Sequence, residues 1–176
     1  VLDITARKVK EIDIIDSNRV LSSLDGLTEC CLSGVDLEGR LAGVLGQMVC
    51  GTAGAEVGGI FLQEEGGLEL RALHGSVEEL ISFIRGAETA RLLSRTLVHP
   101  TQTTGRSWIS LPIVCRDETR GLAVLALIQE ADRACLEFLE KAAGRIGRLL
   151  DAGASEKMQP SAQELLSRIR AGLVQD

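Results

Sequence analysis

Residues 107–128, SWISLPIVCRDETRGLAVLALI, constrain the chain more than any other stretch. They predict two strands joined by a polar turn. In the first, Ile109, Leu111, Ile113 and Cys115 recur at every second position, the pattern of a strand with one buried face. The turn, Arg116-Asp117-Glu118-Thr119-Arg120, is charged and belongs in water. The second strand, Gly121 to Ile128, is almost wholly apolar, as a central strand buried on both faces must be. Pro112 has no N–H to give a ladder, so it belongs at a bulge or on an unpaired edge.

Around this hairpin the chain alternates helical and strand patterns. Asp36 is placed to cap a helix with Leu37, Leu41, Val44, Leu45 and Met48 on one stripe, ending near Gly51 or Gly54. Ala55 to Gln63 reads as a strand, Glu64-Glu65-Gly66-Gly67 as a turn, and Leu68 to His74 as the return strand. In that return strand Leu68, Leu70 and Ala72 are expected on one side, with Glu69 and Arg71 on the other. Gly58-Gly59 marks a bulge or a close neighbour. Val77, Leu80, Ile81 and Ile84 form a short amphipathic helix, Ala87 to Leu93 a second, and Leu97-Val98 a brief strand before a polar loop from His99 to Gly105. Asp132 caps a long helix with the stripe Cys135, Leu136, Leu139, Ala143, Ile146, Leu149 and Leu150. Gly153 to Pro160 reads as a break, and Ser161 to Val174 as a weak helix.

At the other end, Asp3 can cap a helix over the first 32 residues. Val9, Ile12 and Ile15, then Val20, Leu24, Leu27 and Cys31, follow three- and four-residue spacings with one five-residue interruption of a heptad. A stripe this narrow either pairs with a second copy or packs back on its own domain.

Composition removes several functions. The chain has 176 residues, 45% hydrophobic and 25% charged, enough for one globular domain with helical extensions. Its net charge of −6 is spread without a basic stripe, so nucleic acid is not an expected partner. No apolar run reaches the roughly 20 residues that span a bilayer, and the first residues lack a signal-peptide pattern. The expectation is a cytoplasmic domain without direct membrane contact. Five cysteines, Cys30, Cys31, Cys50, Cys115 and Cys135, lie in apolar periodic segments without C-x-x-C spacing, as reduced core thiols do. Phe61, Phe83, Phe138 and Trp108 are the only aromatic residues, which argues against a large chromophore. Zinc spacing, paired carboxylates and phosphate-cradling glycine loops are absent, so no metal or catalytic residue is assigned.

Two resemblances follow from these motifs. VLDITARK at residues 1–8 looks like the D-I-T-x-R-K ending of many PAS sensory domains. Gly59 to Gln63, Gly67 to Gly75, Leu111-Pro112-Ile113 and Gly121 to Leu125, in that order, resemble a GAF domain over about residues 34–151. The resemblance implies an α+β fold, an antiparallel sheet flanked by helices, with long N- and C-terminal helices packed together. Short helices and loops of the middle stretch would roof a pocket. It implies a division into a linker helix over 1–33 following a PAS domain, a GAF domain over 34–152 and a C-terminal linker helix over 153–176. It further implies a regulatory, non-enzymatic domain of a bacterial signalling protein of the histidine kinase or nucleotide cyclase type.

The N-K…F…D-E signature of the cyclic-nucleotide-binding branch is missing, and residues 75–105 hold no cysteine for a bilin, so no cofactor is carried over. If there is a pocket, its expected walls are Phe61, Leu73, His74, Ile81, Ile84, Leu92, Arg106 and Trp108. Arg106 could neutralise an anion or be a solvated loop charge; Trp108 is either core or pocket wall. His74 and His99 flank the loose stretch. The expected partners are a small molecule, an output domain in the same polypeptide, and a second copy docked through Val9, Ile12, Val20, Leu24, Leu27, Leu139, Ile146 and Leu149. The alternatives are a scaffold without ligand, or an enzyme like the branch of the family that reduces free methionine sulfoxide, through Cys50 and Cys115.

Overall fold

In a computed structural model, residues 18–19, 21–29, 36–100 and 106–153 are described in full, and residues 154–158 by backbone alone. The elements are α1 (residues 21–29), α2 (Leu37–Gly51), β1 (Ala55–Glu64), β2 (Gly67–His74), α3 (Val77–Gly86), α4 (Thr89–Ser94), β3 (Leu97–Pro100), β4 (Ser107–Cys115), β5 (Glu118–Leu127) and α5 (Arg133–Met158). Side-chain oxygens set the starts of three helices. Asp36 Oδ1 accepts from Gly39 N at 2.9 Å, Ser76 Oγ from Glu79 N at 3.4 Å, and Asp132 Oδ1 from Cys135 N at 2.7 Å.

The strands form one antiparallel sheet in the order β2-β1-β5-β4-β3. β5 is central, and its alternate residues feed two cores. Ala123, Leu125 and Leu127 join Ile60, Leu62, Ile109, Leu111 and Ile113 beneath α1, α2 and α5. Leu122, Val124 and Ala126 join Val57, Phe61 and Trp108 beneath α3 and α4. A continuous apolar run was needed because both faces are dry. Pro112 lies beyond the reach of β3, whose first pair is Leu97 with Ser110, so the edge lacking its N–H faces no ladder.

The structure changes several expectations. The β4–β5 turn is only Arg116-Asp117, both at positive φ (50° and 65°). That left-handed pair matches the strand twist, so Glu118 to Arg120 remain in β5 although they are polar. Between β1 and β2, Ile60 pairs with Ala72 but Phe61 pairs with Leu70, which leaves Arg71 in a bulge. The extra residue inverts the alternation. Ala72 therefore enters the core under α2 and α5, while Leu68 and Leu70 pack on the opposite face. β3 runs on through His99 and Pro100 instead of giving way to loop. α5 continues through Gly153 to Met158, because a lone glycine costs a helix only about 1 kcal/mol. Cys50 is exposed rather than core, while Cys115 and Cys135 are half-buried.

The residues assigned to docking between copies are mostly spent inside the fold. Leu27, Leu139 and Ile146 are fully buried, Leu149 nearly so, and Leu24 packs against the same cluster. The periodic stripe of α5 is apolar, and its partner is the sheet. What α5 turns outward is polar: Glu137, Glu140, Lys141 and Arg148. Val9, Ile12, Val20, the PAS-like residues 1–8, Cys30 and Cys31, and the helix expected over 161–174 lie outside the described residues.

Candidate functional site

On the face of the sheet away from α5, α3 sits so close to β1 that Leu80 occupies the space a side chain at Gly59 would need. Leu80 is fully buried there. Phe83, one turn further, lies flat on Trp108, with ring centroids 4.6 Å apart and planes 6° from parallel. Leu80 and Phe83 therefore take up space between α3 and the sheet.

A cleft of about 400 Å³ remains beside this packing, between α3, α4 and β3. Phe83, Ala87 and Leu92 supply apolar wall; Ser82, Glu88, Arg91 and His99 supply polar groups. β3 carries His99 into the cleft because its register puts His99 opposite Trp108. The imidazole is tied at Nε2 to Ser110 Oγ, 3.2 Å away, and Ser110 is completely buried. The Phe83 ring meets it edge-on at 5.3 Å. Burial, and then the charge of Arg91, push the His99 pKa below its usual range, so the ring is neutral at pH 7.

The eight expected pocket residues divide. Leu92 lines the cleft. Phe61 and Trp108 are buried in the layer beneath it, with Ile84 packed at their margin. Ile81 is half-buried on α3. Leu73 and His74 stand exposed at the end of edge strand β2, away from the cleft lining. Arg106 is held on the rim of α3 by two carboxylates, Glu56 at 2.6 Å and Glu79 at 2.5 Å, and so is neither a cleft residue nor a free loop charge. Sequence reasoning passed over Phe83, Ala87, Glu88 and Arg91. Phe83 carried the one usable signal, an aromatic residue in the apolar stripe of a short helix.

A second, larger cleft of about 710 Å³ lies at the opposite end of the sheet, between the start of α2 and the later turns of α5. Cys115 shares it with Leu37, Arg40 and Arg116. Cys50 sits at the far end of α2, thirteen residues and so about 20 Å from Leu37. Those two cysteines cannot meet. Burial raises the pKa of Cys135 and keeps it a thiol. Among the described residues no three His, Cys, Asp or Glu side chains cluster as a metal site, and no helix is long and apolar enough to cross a membrane.

A five-stranded antiparallel sheet in this order, with three helices on one face and two short ones roofing the other, defines a layered α+β architecture. It is the GAF fold. No family model and no curated protein matches the chain. Solved structures do. The GAF domain of a proposed sensor histidine kinase from Pseudomonas syringae pv. tomato superposes with a TM-score of 0.65 at 18% identity, covering 86% of this chain and 97% of its own. The GAF domain of a phosphoenolpyruvate-protein phosphotransferase from Coxiella burnetii gives 0.63 at 14%, covering 79% and 96%. The reduced form of fRMsr from Staphylococcus aureus gives 0.55 at 16%, covering 73% and 94%. Identities this low speak for the fold alone.

Proposed function

We propose that this chain is a regulatory GAF module of a bacterial signalling protein, one that passes a conformational signal along its terminal helices to an output domain in the same polypeptide. The observation carrying this reading is the direction of α1 and α5. Ser23 and Phe138 both crowd Gly51, and seven residues further along α5 Arg145 donates to Thr28 Oγ1 at 2.5 Å. The two helices therefore run the same way on the same sheet face. The chain comes in near Phe138 and leaves at Met158, about 30 Å further along the axis.

β4 supports the same reading. Its side chains alternate between Trp108 and Ser110 on the cleft face and Ile109, Leu111 and Ile113 against α5. A shift of this strand acts on both cores at once. With the stripe of α5 committed to the sheet, pairing of two copies rests on the sequence ahead of α1, which carries Val9, Ile12 and Val20. In this reading residues 1–33 link the module to a PAS domain, and the segment after residue 152 leads to the output. Light scattering on the intact chain and on one lacking residues 1–20, which keeps α1 and its buried Leu27, tests the assembly. A dimer that becomes a monomer on truncation supports it; monomers in both contradict it.

The packing of Leu80 and Phe83 under α3 favours a second reading, a scaffold that transmits without a ligand. Trp108 emission that ignores a broad metabolite panel would favour it. The distance between Cys50 and Cys115 speaks against a cysteine-pair reductase.

A further inference from the structure

We infer that the cleft between α3, α4 and β3 binds a small carboxylate of single charge with an apolar body, held between Arg91 and His99. This rests on the regulatory reading above and names what its sensor site takes. The volume, about 400 Å³, lies within the range of small-molecule sites. Phe83, Ala87 and Leu92 offer a hydrocarbon surface to a ring or branched chain. Arg91 has no carboxylate partner among the described residues, and its charge bears on the imidazole of His99. A carboxylate placed between them answers the guanidinium and removes the repulsion that disfavours a protonated His99.

The groups facing His99 set the charge of the ligand. From α4 comes Arg91, with Glu88 just ahead of that helix; from α3 come the uncharged Ser82 and Phe83; from β4 Ser110 and Trp108. Glu88 is the one carboxylate on the lining among the described residues, so a dianion meets repulsion that a monoanion avoids. Binding draws a proton onto His99, so affinity rises as pH falls from 7 toward 5.5.

Benzoate is the probe, and Trp108 the reporter, because Phe83 lies against it at 4.6 Å. The expected result is a saturable change in Trp108 emission with benzoate, weaker by about tenfold or more with neutral benzamide, the size of one charge-assisted hydrogen bond. Arg91→Gln should lose a similar factor. His99→Gln should still bind at pH 7 but lose the gain at low pH. Both residues are half-buried or exposed, so the variants should fold, which far-ultraviolet circular dichroism checks. An equal response to benzamide, indifference to Arg91→Gln, or no response up to about 10 mM would overturn the assignment. Tighter binding of zwitterionic phenylalanine would also overturn it, by making Glu88 a partner. Light scattering on the truncated chain does not involve the cleft, so a silent cleft in a chain that still dimerises retires this inference and leaves the relay standing.

Discussion

The carbonyl of Val114 lies against Gly147 so closely that a side chain at position 147 would overlap its oxygen. α5 therefore rests its backbone directly on β4 at this point. The contact fixes the height and rotation of the helix on the strand, and any displacement of β4 reaches α5 here.

Two glycines of α5 should respond to alanine with opposite signs. Propensity alone gives Gly→Ala in a helix a gain of about 1 kcal/mol. Gly144 faces open space, so Gly144→Ala should raise stability by up to that amount. Gly147→Ala must push α5 off the Val114 carbonyl and should cost about 1–3 kcal/mol. Urea denaturation of both variants checks the pair.

Gly59 and Leu80 should be energetically coupled. Gly59→Ala forces Leu80 from its site, and Leu80→Ala alone leaves a cavity costing about 2–5 kcal/mol. In the double variant the new methyl enters the vacated space. The summed single costs should exceed the double cost by about 1 kcal/mol or more in a double-mutant cycle.

His99 makes stability depend on pH in one direction. Its folded-state pKa lies below the usual 6.5, so the unfolded chain takes up the proton more readily. Its contribution is complete above about pH 6.5 and is lost as pH falls toward the folded value. Between pH 7 and 5 the urea midpoint of the parent should fall further than that of His99→Gln.

Thiol reactivity should follow burial. In a Cys30→Ser, Cys31→Ser background, Cys50 should react with a disulfide reagent first, since it is exposed. Cys135, half-buried and held protonated, should react more slowly at pH 8. Mass spectrometry of partly labelled protein gives the order.

The sequence carried the architecture well because its strongest signals were burial signals. The unbroken apolar run of β5 had to be dry on both faces, and Asp36 and Asp132 stood where helix starts needed an acceptor. Periodicity reports that a stripe is buried, but not against what. Leu139 and Ile146 read equally well as a docking seam and as core, and the sheet claims them. The bulge at Arg71 and the left-handed Arg116-Asp117 turn leave little trace in residue type, so the facing of Ala72 and the start of β5 were not legible. The cleft was half legible. Leu92 and the layer of Phe61 and Trp108 fell out of the apolar pattern, whereas Arg91 and Glu88 look like any exposed helix charges until β3 brings His99 opposite them.

The central claim is that β4 carries a change in the cleft to α5. Hydrogen exchange on the parent and on Phe83→Ala, which disturbs the cleft face alone, tests it most directly. The account predicts that protection of Phe138 to Leu149 in α5 falls by more than that of Leu41 to Met48 in α2. Equal changes in the two helices, or a change confined to α3, α4 and β3, would contradict it.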